Sequence, residues 1–164
     1  MGGIFCDFIK AFDCMDHKSL LAKMYQYGIT GKRLELITSY LKDRNQRVII
    51  TSRSKVYYSE WKTIQRGVPQ GSVLGPRLFL IYINDLPQTI KALADPVLFA
   101  DDTSMIVKST EPGEFLHSLQ NNIINVDRWF KSYSLLLNMD KIHLLQFNTK
   151  ISQLMDLEVH YENK

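Results

Sequence analysis

Three aspartates are the residues whose types and spacing point most directly to chemistry. Asp7 lies within an apolar run, and Asp101 and Asp102 stand together at the predicted tip of an apolar hairpin. An ionised carboxylate in an apolar strand is costly to bury without a compensating cation. Three converging carboxylates can bind a pair of divalent cations, an arrangement that displaces phosphate leaving groups. Oxygen ligands favour Mg²⁺, or Mn²⁺, over Zn²⁺.

Each aspartate also has a plainer interpretation, which the sequence alone leaves open. Asp7 could end a strand and accept backbone hydrogen bonds. A two-residue Asp-Asp turn at 101–102 needs no function, because Asp is a common turn residue. The metal-binding interpretation depends on the two segments meeting in space.

The segment 67–76 is a predicted loop, with three Gly and two Pro in ten residues. It lacks the Gly-Lys-Ser/Thr ending of a Walker loop. Glycine would let a base or sugar lie against the backbone, and Gln70 offers both a donor and an acceptor. An ordinary connection before a helix is the alternative interpretation.

Hydrophobic periodicity predicts the elements that position these residues. Residues 4–9 alternate as a strand, Asp16 can cap a helix that Gly28 ends, and Thr30 can cap a second helix. Segments 46–52 and 55–65 predict one hairpin, and 97–100 with 105–107 predict another around residues 101–102. Further predicted elements are helices at 76–84 and from Pro112, and strands at 134–137 and 144–147. Largely antiparallel strands with helices on one face make an α+β layer.

Charge is unevenly distributed along a chain of ordinary composition. Net charge is +3, with 45% hydrophobic and 23% charged residues, as in folded proteins generally. Residues 32–66 hold nine Lys and Arg against three Asp and Glu, a local charge of +6. This segment suits a polyanion held beside a metal site, although charge alone favours a solvated surface hairpin. Cys6 and Cys14 fit no zinc spacing and favour buried thiols.

Together the segments resemble the palm of a reverse transcriptase, specifically that of a non-LTR, LINE-type retrotransposon, over about residues 3–148. The fold that this implies is a polymerase palm, α+β, with part of the fingers. The matching segments are residues 5–13 with Asp16 and His17, residues 40–48, residues 67–87, residues 99–102, and Leu137, Asn138, Lys141 and Phe147. A lone Ala-Asp-Asp would mean little, but the joint match is highly specific.

The resemblance implies catalytic roles for the acidic residues. Asp7 and Asp101 would bind two Mg²⁺ ions, assisted by the Phe8 backbone carbonyl, and Asp102 would be a third, less essential carboxylate. The metals would activate a primer 3′-hydroxyl and stabilise the departing pyrophosphate.

The resemblance also implies a nucleotide-binding set. Gln70 and Gly71 would line the nucleotide and template side, and Arg66 would contact a phosphate. Lys141, whose implied role is catalytic, would approach the triphosphate and protonate the leaving group, although a solvated lysine near a strand is the plainer interpretation. Phe12 would exclude a ribose 2′-hydroxyl by steric clash, and a core phenylalanine at a helix start stays open as its alternative.

The implied partners are an RNA template, a DNA primer and deoxynucleoside triphosphates. No membrane partner is expected, since the longest apolar run, residues 78–83, is too short to span a bilayer. Family behaviour implies action in the nucleus, although the sequence contains no targeting signal. We expect residues 1–150 to form the palm and partial fingers, and 151–164 to be an unassigned tail.

Two hypotheses follow. The short stretch before Asp7 and the end at Lys164 predict that most of the fingers, the thumb and the endonuclease are absent, so the chain would be a truncated piece. It is either an RNA-directed DNA polymerase domain or a catalytically inert remnant that at most binds nucleic acid through residues 32–66. A two-metal nuclease or phosphodiesterase is a weaker alternative, because it gives no role to Phe12 or Gln70.

Overall fold

The computed structural model describes residues 1–53, 55–91, 94–100, 102–108 and 112–147. Asp101 and the predicted tail at 151–164 therefore lie outside the described residues. The chain divides into two compact units. The first comprises Met1–Ala11 and Tyr82–Lys164, and the second comprises Phe12–Ile81. Asp7, Asp102 and Lys141 belong to the first unit, and the Gly-rich loop belongs to the second.

Ten strands, six α-helices and one short 3-10 helix are present in the described part of the chain. The strands are β1 (Gly2–Cys6), β2 (Phe8–Ile9), β3 (Asn45–Gln46), β4 (Ile49–Ser52), β5 (Lys55–Tyr58), β6 (Lys62–Thr63), β7 (Asp95–Phe99), β8 (Asp102–Val107), β9 (Leu136–Leu137) and β10 (His143–Gln146). The helices are α1 (Ala11–Cys14), α2 (His17–Gln26), α3 (Lys32–Leu41), α4 (Leu74–Ile83), α5 (Leu86–Ile90), α6 (Pro112–Ser132) and the 3-10 helix Met139–Lys141.

The first unit is built on a four-stranded antiparallel sheet in the order β10-β1-β8-β7. Side chains alternate between its two faces, and one face carries the fully buried Ile4, Met105 and Val107. Helices α5 and α6 contact the sheet. Phe115 of α6 lies so close to Gly2 that a Cβ there would come within 2.5 Å of the Phe115 ring. The expected antiparallel sheet with helices on one face is confirmed.

Helix α6 follows from its apolar spacing. Leu119, Ile123, Val126 and Phe130 recur at intervals of three and four residues, and all four are buried. Phe130 also packs edge-on against Phe8 of β2, with ring centroids 4.8 Å apart. The helix thereby covers the short β2-β9 pair that continues the chain beyond Asp7.

The second unit contains helices α2 and α3, two short strand pairs and the Gly-rich loop. Its buried apolar side chains come from α2, α3, α4, the loop and the link between α1 and α2: Met15, Leu20, Met24, Leu41, Val68, Leu78 and Phe79. Strands β4 and β5 form the predicted hairpin, and β3 pairs with β6 to continue it. No described helix is long and apolar enough to cross a membrane.

Three local predictions were wrong by one or two residues. The N-cap of helix α3 is Gly31 and not Thr30. Its backbone φ of 58° is positive, a conformation that glycine adopts readily, and the helix has no side-chain cap. Helix α4 begins at Leu74, before Pro76, because the Ser72 hydroxyl accepts a hydrogen bond from the Gly75 N–H. Asp102 is the first residue of β8 and pairs with Phe99, so it belongs to a strand and not to the turn.

Candidate active site

Two of the predicted carboxylates, Asp7 and Asp102, lie at neighbouring ends of the two central strands of the first unit's sheet. Strand β1 pairs with β8 in a register that ends at Cys6 opposite Thr103. Continuing that register by one residue places Asp7 beside Asp102. Phe5 and Ser104 are paired in the same register and lie on the same face, because side chains alternate along a strand. Two residues 95 positions apart in sequence thus become neighbours on the face opposite the helices.

Asp7 lies where the chain leaves one sheet and enters another. It separates β1 from β2, and its carbonyl oxygen accepts a hydrogen bond of 3.0 Å from the Asn138 N–H. Phe8 then pairs with Leu137. Hydrogen bonds on both sides fix the backbone at this point, so the Asp7 side chain is carried by a rigid support.

Lys141 forms an ion pair with Asp7. Its Nζ donates a hydrogen bond of 2.6 Å to Asp7 Oδ2. The lysine side chain is 64% exposed and the aspartate side chain 23% exposed, so water screens the pair and it adds little to stability. The contact puts a mobile, strongly hydrated cation beside the carboxylates.

These side chains line an open pocket of about 460 Å³. Its lining residues are Phe5, Cys6, Asp7, Asp102, Thr103, Ser104, Lys141 and His143. His143 joins through strand β10, where it pairs with Phe5. The sequence reasoning missed His143 and Ser104, since only long-range strand register brings them to this face.

The Cys6 thiol beneath the pocket is inert. Cys6 is 5% exposed, and burial raises the pKa of its thiol to about 12. A thiol that stays protonated is a poor nucleophile and a poor metal ligand. Neither cysteine forms a disulfide bond. Cys6 is buried, as the sequence predicted, whereas Cys14 is only half-buried.

In the second unit, hydrogen bonds hold the Gly-rich loop against residues 12–17, which include most of α1 and the first residue of α2. The Gly67 N–H donates to Met15 O at 2.7 Å, and the Val68 N–H donates to Phe12 O at 2.8 Å. His17 Nε2 donates to the Gly67 carbonyl oxygen at 2.7 Å. The loop position is therefore fixed by residues 50 or more positions earlier, which supports an ordered surface over a loose connection.

Asp16 fixes the helix that carries these contacts. Its Oδ2 accepts hydrogen bonds of 2.8 Å from both the N–H and the hydroxyl of Ser19, which caps α2 as predicted. Burial tends to raise the pKa of the Asp16 carboxyl. The Ser19 hydrogen bonds and the charges of Arg66 and His17 outweigh that effect and hold the pKa below its usual value.

Four predicted nucleotide-binding residues lie together in the second unit. Gln70 Nε2 donates to Asp13 Oδ1 at 3.2 Å, and Gly71 has open space where a Cβ would be. Arg66 forms an isolated β-bridge with Asp16. Phe12 is half-buried, and its ring lies 4.8 Å from that of Phe79. Phe12 is thus both partly packed and partly accessible, so both interpretations of it stay open and its role remains a prediction.

The described residues include two of the three predicted carboxylate ligands, Asp7 and Asp102. No cluster of three or more His, Cys, Asp or Glu side chains suited to a metal ion occurs among them. Asp101, the third predicted carboxylate, lies outside that set. The donor chemistry fits Mg²⁺ nonetheless, since Asp7 and Asp102 offer hard carboxylate oxygens in an open pocket.

Several known proteins are similar to this chain in sequence. The sequence model described as "Reverse transcriptase (RNA-dependent DNA polymerase)" matches residues 2–161. A probable RNA-directed DNA polymerase from transposon BS of Drosophila melanogaster is 32% identical over 150 residues, covering 84% of this chain and 15% of the relative. The RNA-directed DNA polymerase from mobile element jockey of Drosophila funebris is 32% identical over 157 residues, covering 92% of this chain and 16% of the relative.

Solved structures agree at the level of the fold. Apo telomerase from Candida tropicalis superposes with a TM-score of 0.66 at 16% identity, covering 94% of this chain and 32% of that one. Telomerase from Candida albicans, in complex with a fragment of telomeric RNA, gives 0.61 at 15% identity, covering 96% and 29%. The chain spans about 15% of the length of its curated Drosophila relatives. Sequence and fold together show that this chain belongs to the reverse transcriptase family.

Proposed function

We propose that the chain carries the nucleotidyl-transfer centre of an RNA-directed DNA polymerase from a non-LTR retrotransposon. The observation that carries the proposal is the meeting of Asp7 and Asp102 at adjacent strand ends, in a pocket that also contains Lys141. The curated relatives are named as RNA-directed DNA polymerases of mobile elements. Carboxylates converging beside a cation suit chemistry on phosphates.

The proposed metal ligands are Asp7, Asp102 and Asp101, with the Phe8 carbonyl oxygen assisting. Members of the reverse transcriptase family use divalent metal ions. Mg²⁺ or Mn²⁺ bound here supplies positive charge to the phosphate oxygens and to the attacking hydroxyl. Lys141 balances the Asp7 charge at 2.6 Å and is exposed enough to turn toward a triphosphate.

The second unit supplies the proposed nucleotide and template contacts. Gly71 leaves open space for a flat base or sugar, and Gln70 is exposed and presents an amide. Phe12 is the proposed steric filter against a ribose 2′-hydroxyl, backed by Phe79. Arg66 is a proposed phosphate contact. The proposed substrates are an RNA template, a DNA primer and deoxynucleoside triphosphates, and the proposed place of action is the nucleus.

Metal binding tests the site without the rest of a polymerase. Mn²⁺ affinity of the chain would be measured by electron paramagnetic resonance for the wild type, Asp7→Asn and Asp102→Asn. Each variant should bind Mn²⁺ at least about ten-fold more weakly, because even residues one shell from a metal alter affinity by roughly 10–100-fold. Asp95→Asn is the matched control: Asp95 is exposed and lies at the opposite end of the β7-β8 hairpin.

Primer extension on an RNA template with Mg²⁺ tests the reaction itself. Wild type and Asp95→Asn should incorporate nucleotides, and Asp7→Asn and Asp101→Asn should not. Equal incorporation by wild type and either of these two variants excludes this active site. Mn²⁺ binding that depends on Asp7, with no incorporation by the wild type, selects the inert remnant that only binds nucleic acid.

A further inference from the structure

The hairpin of the second unit is an exposed ribbon rich in apolar and aromatic side chains. We call residues 45–63, which contain β3 to β6, the ribbon. Within the described residues its strands pair only with each other, and every strand position is exposed. Its exposed apolar side chains are Val48, Ile49, Ile50, Val56, Tyr57, Tyr58 and Trp61, each 48–61% exposed. A two-stranded ribbon is marginal alone in water, and an apolar patch of this extent indicates a binding surface.

The strand register sorts these side chains onto two faces. Ile49 is paired with Tyr58, and Ile50 is paired with Tyr57. Paired residues share a face and successive residues alternate, so Tyr58 and Tyr57 lie on opposite faces. Arg47, two residues before Ile49, belongs to the Tyr58 face. We call this the arginine face.

The arginine face carries a preformed stack. The Arg47 guanidinium carbon lies 4.4 Å from the centre of the Tyr58 ring and 4.7 Å from the centre of the Trp61 ring. Such contacts hold both rings in place and keep a positive charge between them. Tyr58 and Trp61 nevertheless stay 58% and 61% exposed, so most of their surface is open to a ligand.

Charge selects the kind of partner. The ribbon contains Arg47, Arg53, Lys55 and Lys62 against a single acidic residue, Glu60, a net charge of +3. Open aromatic rings among basic side chains suit single-stranded nucleic acid, whose unpaired bases stack on rings while its phosphates meet the cations. An uncharged apolar partner would not need this charge.

We propose that the arginine face of the ribbon binds single-stranded nucleic acid, with bases stacking on Trp61 and Tyr58 and a phosphate contacting Arg47. The proposal deepens the proposed function and rests on it for the identity of the strand as template. It names a surface outside the acidic pocket. Single-stranded RNA and DNA share the stacking chemistry, so both are tested.

Trp61 gives a direct signal for the test. Trp61 is 61% exposed and Trp129 only 8% exposed, so a strand that stacks on the ribbon should quench Trp61 fluorescence selectively. The full chain would be titrated with 12-nucleotide oligouridylate and oligothymidylate. Affinity for each variant would be measured by anisotropy of a labelled strand. Trp61→Ala should weaken binding roughly 5- to 150-fold, the range for loss of one stacked base. Tyr57→Ala, on the opposite face, is the matched control and should change affinity less than two-fold.

Two further measurements separate stacking from charge alone. Arg47→Gln should lower the slope of log affinity against log salt by about 0.7, the value for one phosphate contact on a single strand. A blunt duplex of the same length should bind more weakly, since its bases are already stacked. Circular dichroism should show unchanged folding, because the substituted side chains are exposed.

Several outcomes would overturn the proposal. These are unquenched Trp61 fluorescence, equal losses for Trp61→Ala and Tyr57→Ala, or duplex binding as tight as single-strand binding. Self-association of the chain that Trp61→Ala abolishes would assign the face to protein contacts instead. Trp61→Ala should leave Mn²⁺ affinity unchanged, because Trp61 does not line the acidic pocket. Failure of the acidic site and failure of the ribbon are therefore distinguishable.

Discussion

Replacing Gly67 by alanine should damage the protein far more than the same change at Gly71. Both glycines have left-handed backbones, with φ of +80° and +78°, so both variants carry the same conformational strain. That strain is about 1–2 kcal/mol for an L-residue. It is partly offset by about 0.4–1 kcal/mol, because alanine also stiffens the unfolded chain. Gly71→Ala should therefore lower the free energy of unfolding by about 1.6 kcal/mol at most.

Gly67 differs because a Cβ has no room there. It would lie 2.7 Å from Asp13 Cα, 2.7 Å from Phe12 O and 2.8 Å from Asp13 O. All three are backbone atoms, so no side-chain rotation relieves the clash. Overpacking of this kind costs about 1–3 kcal/mol, and shifting the loop also strains the hydrogen bonds to Met15 and Phe12. Gly67→Ala should be less stable than Gly71→Ala by about 2 kcal/mol or more.

Thermal and urea unfolding of the two variants and the wild type measure this difference. A gap of about 2 kcal/mol corresponds to a melting temperature at least about 4 °C lower for Gly67→Ala, at this chain length. Equal free energies of unfolding for the two variants would refute the reasoning. They would mean that the loop does not lie against the backbone of Phe12 and Asp13 in solution.

Two further predictions concern the cap and the ion pair. Asp16→Ala should lower the free energy of unfolding at pH 7 by about 1 kcal/mol, whereas Asp16→Asn, which keeps a capping oxygen, should lose less. The pKa of Asp16 is lower in the folded state than in the unfolded state, so the ionised carboxylate stabilises the fold fully above the unfolded pKa of about 3.9. This stabilisation is lost as pH falls through the folded pKa. The free energies of unfolding of wild type and Asp16→Asn, measured in urea, should therefore converge in acid. Lys141→Ala should tighten Mn²⁺ binding roughly two- to five-fold by removing the cation that competes for Asp7, a small effect because the pair is exposed. Lys108→Ala, which removes an exposed lysine paired to Asp95, should leave Mn²⁺ affinity unchanged, and an equal change in both lysine variants would contradict a specific role for Lys141.

Local elements were predictable where one short segment holds the whole signal. Asp16 with Ser19 three residues on identifies the start of α2, and the apolar spacing of residues 119–130 identifies α6. The errors arose where a distant or unusual contact decided the boundary. Gly31 adopts a positive φ before α3, which no periodicity signals, and pairing with Phe99 makes Asp102 a strand residue.

The candidate site was likewise predictable only in part from the sequence. Its residue types were evident from sequence, because carboxylates in apolar segments and a Gly-rich loop are unusual enough to point to phosphate chemistry. The ion pair of Lys141 with Asp7, separated by 134 positions, was not predictable. Neither were the contributions of His143 and Ser104 to the pocket, which depend on the neighbours of β1.

By itself, the sequence determined the chemical groups, the family and the local helices and strands, since each depends on residue identity or short-range spacing. Only the tertiary structure decided that Asp7 and Asp102 line one pocket with Lys141. Pairing of β1 with β10, the strand after Lys141, brings the lysine, and antiparallel pairing of β1 with β8 brings the two carboxylates together. A shift of one residue in that pairing would send one carboxylate to the helix-covered face. A register formed between strands about 95 residues apart, and enforced by burial of Ile4 and Met105 on the other face, is therefore what assembles the pocket.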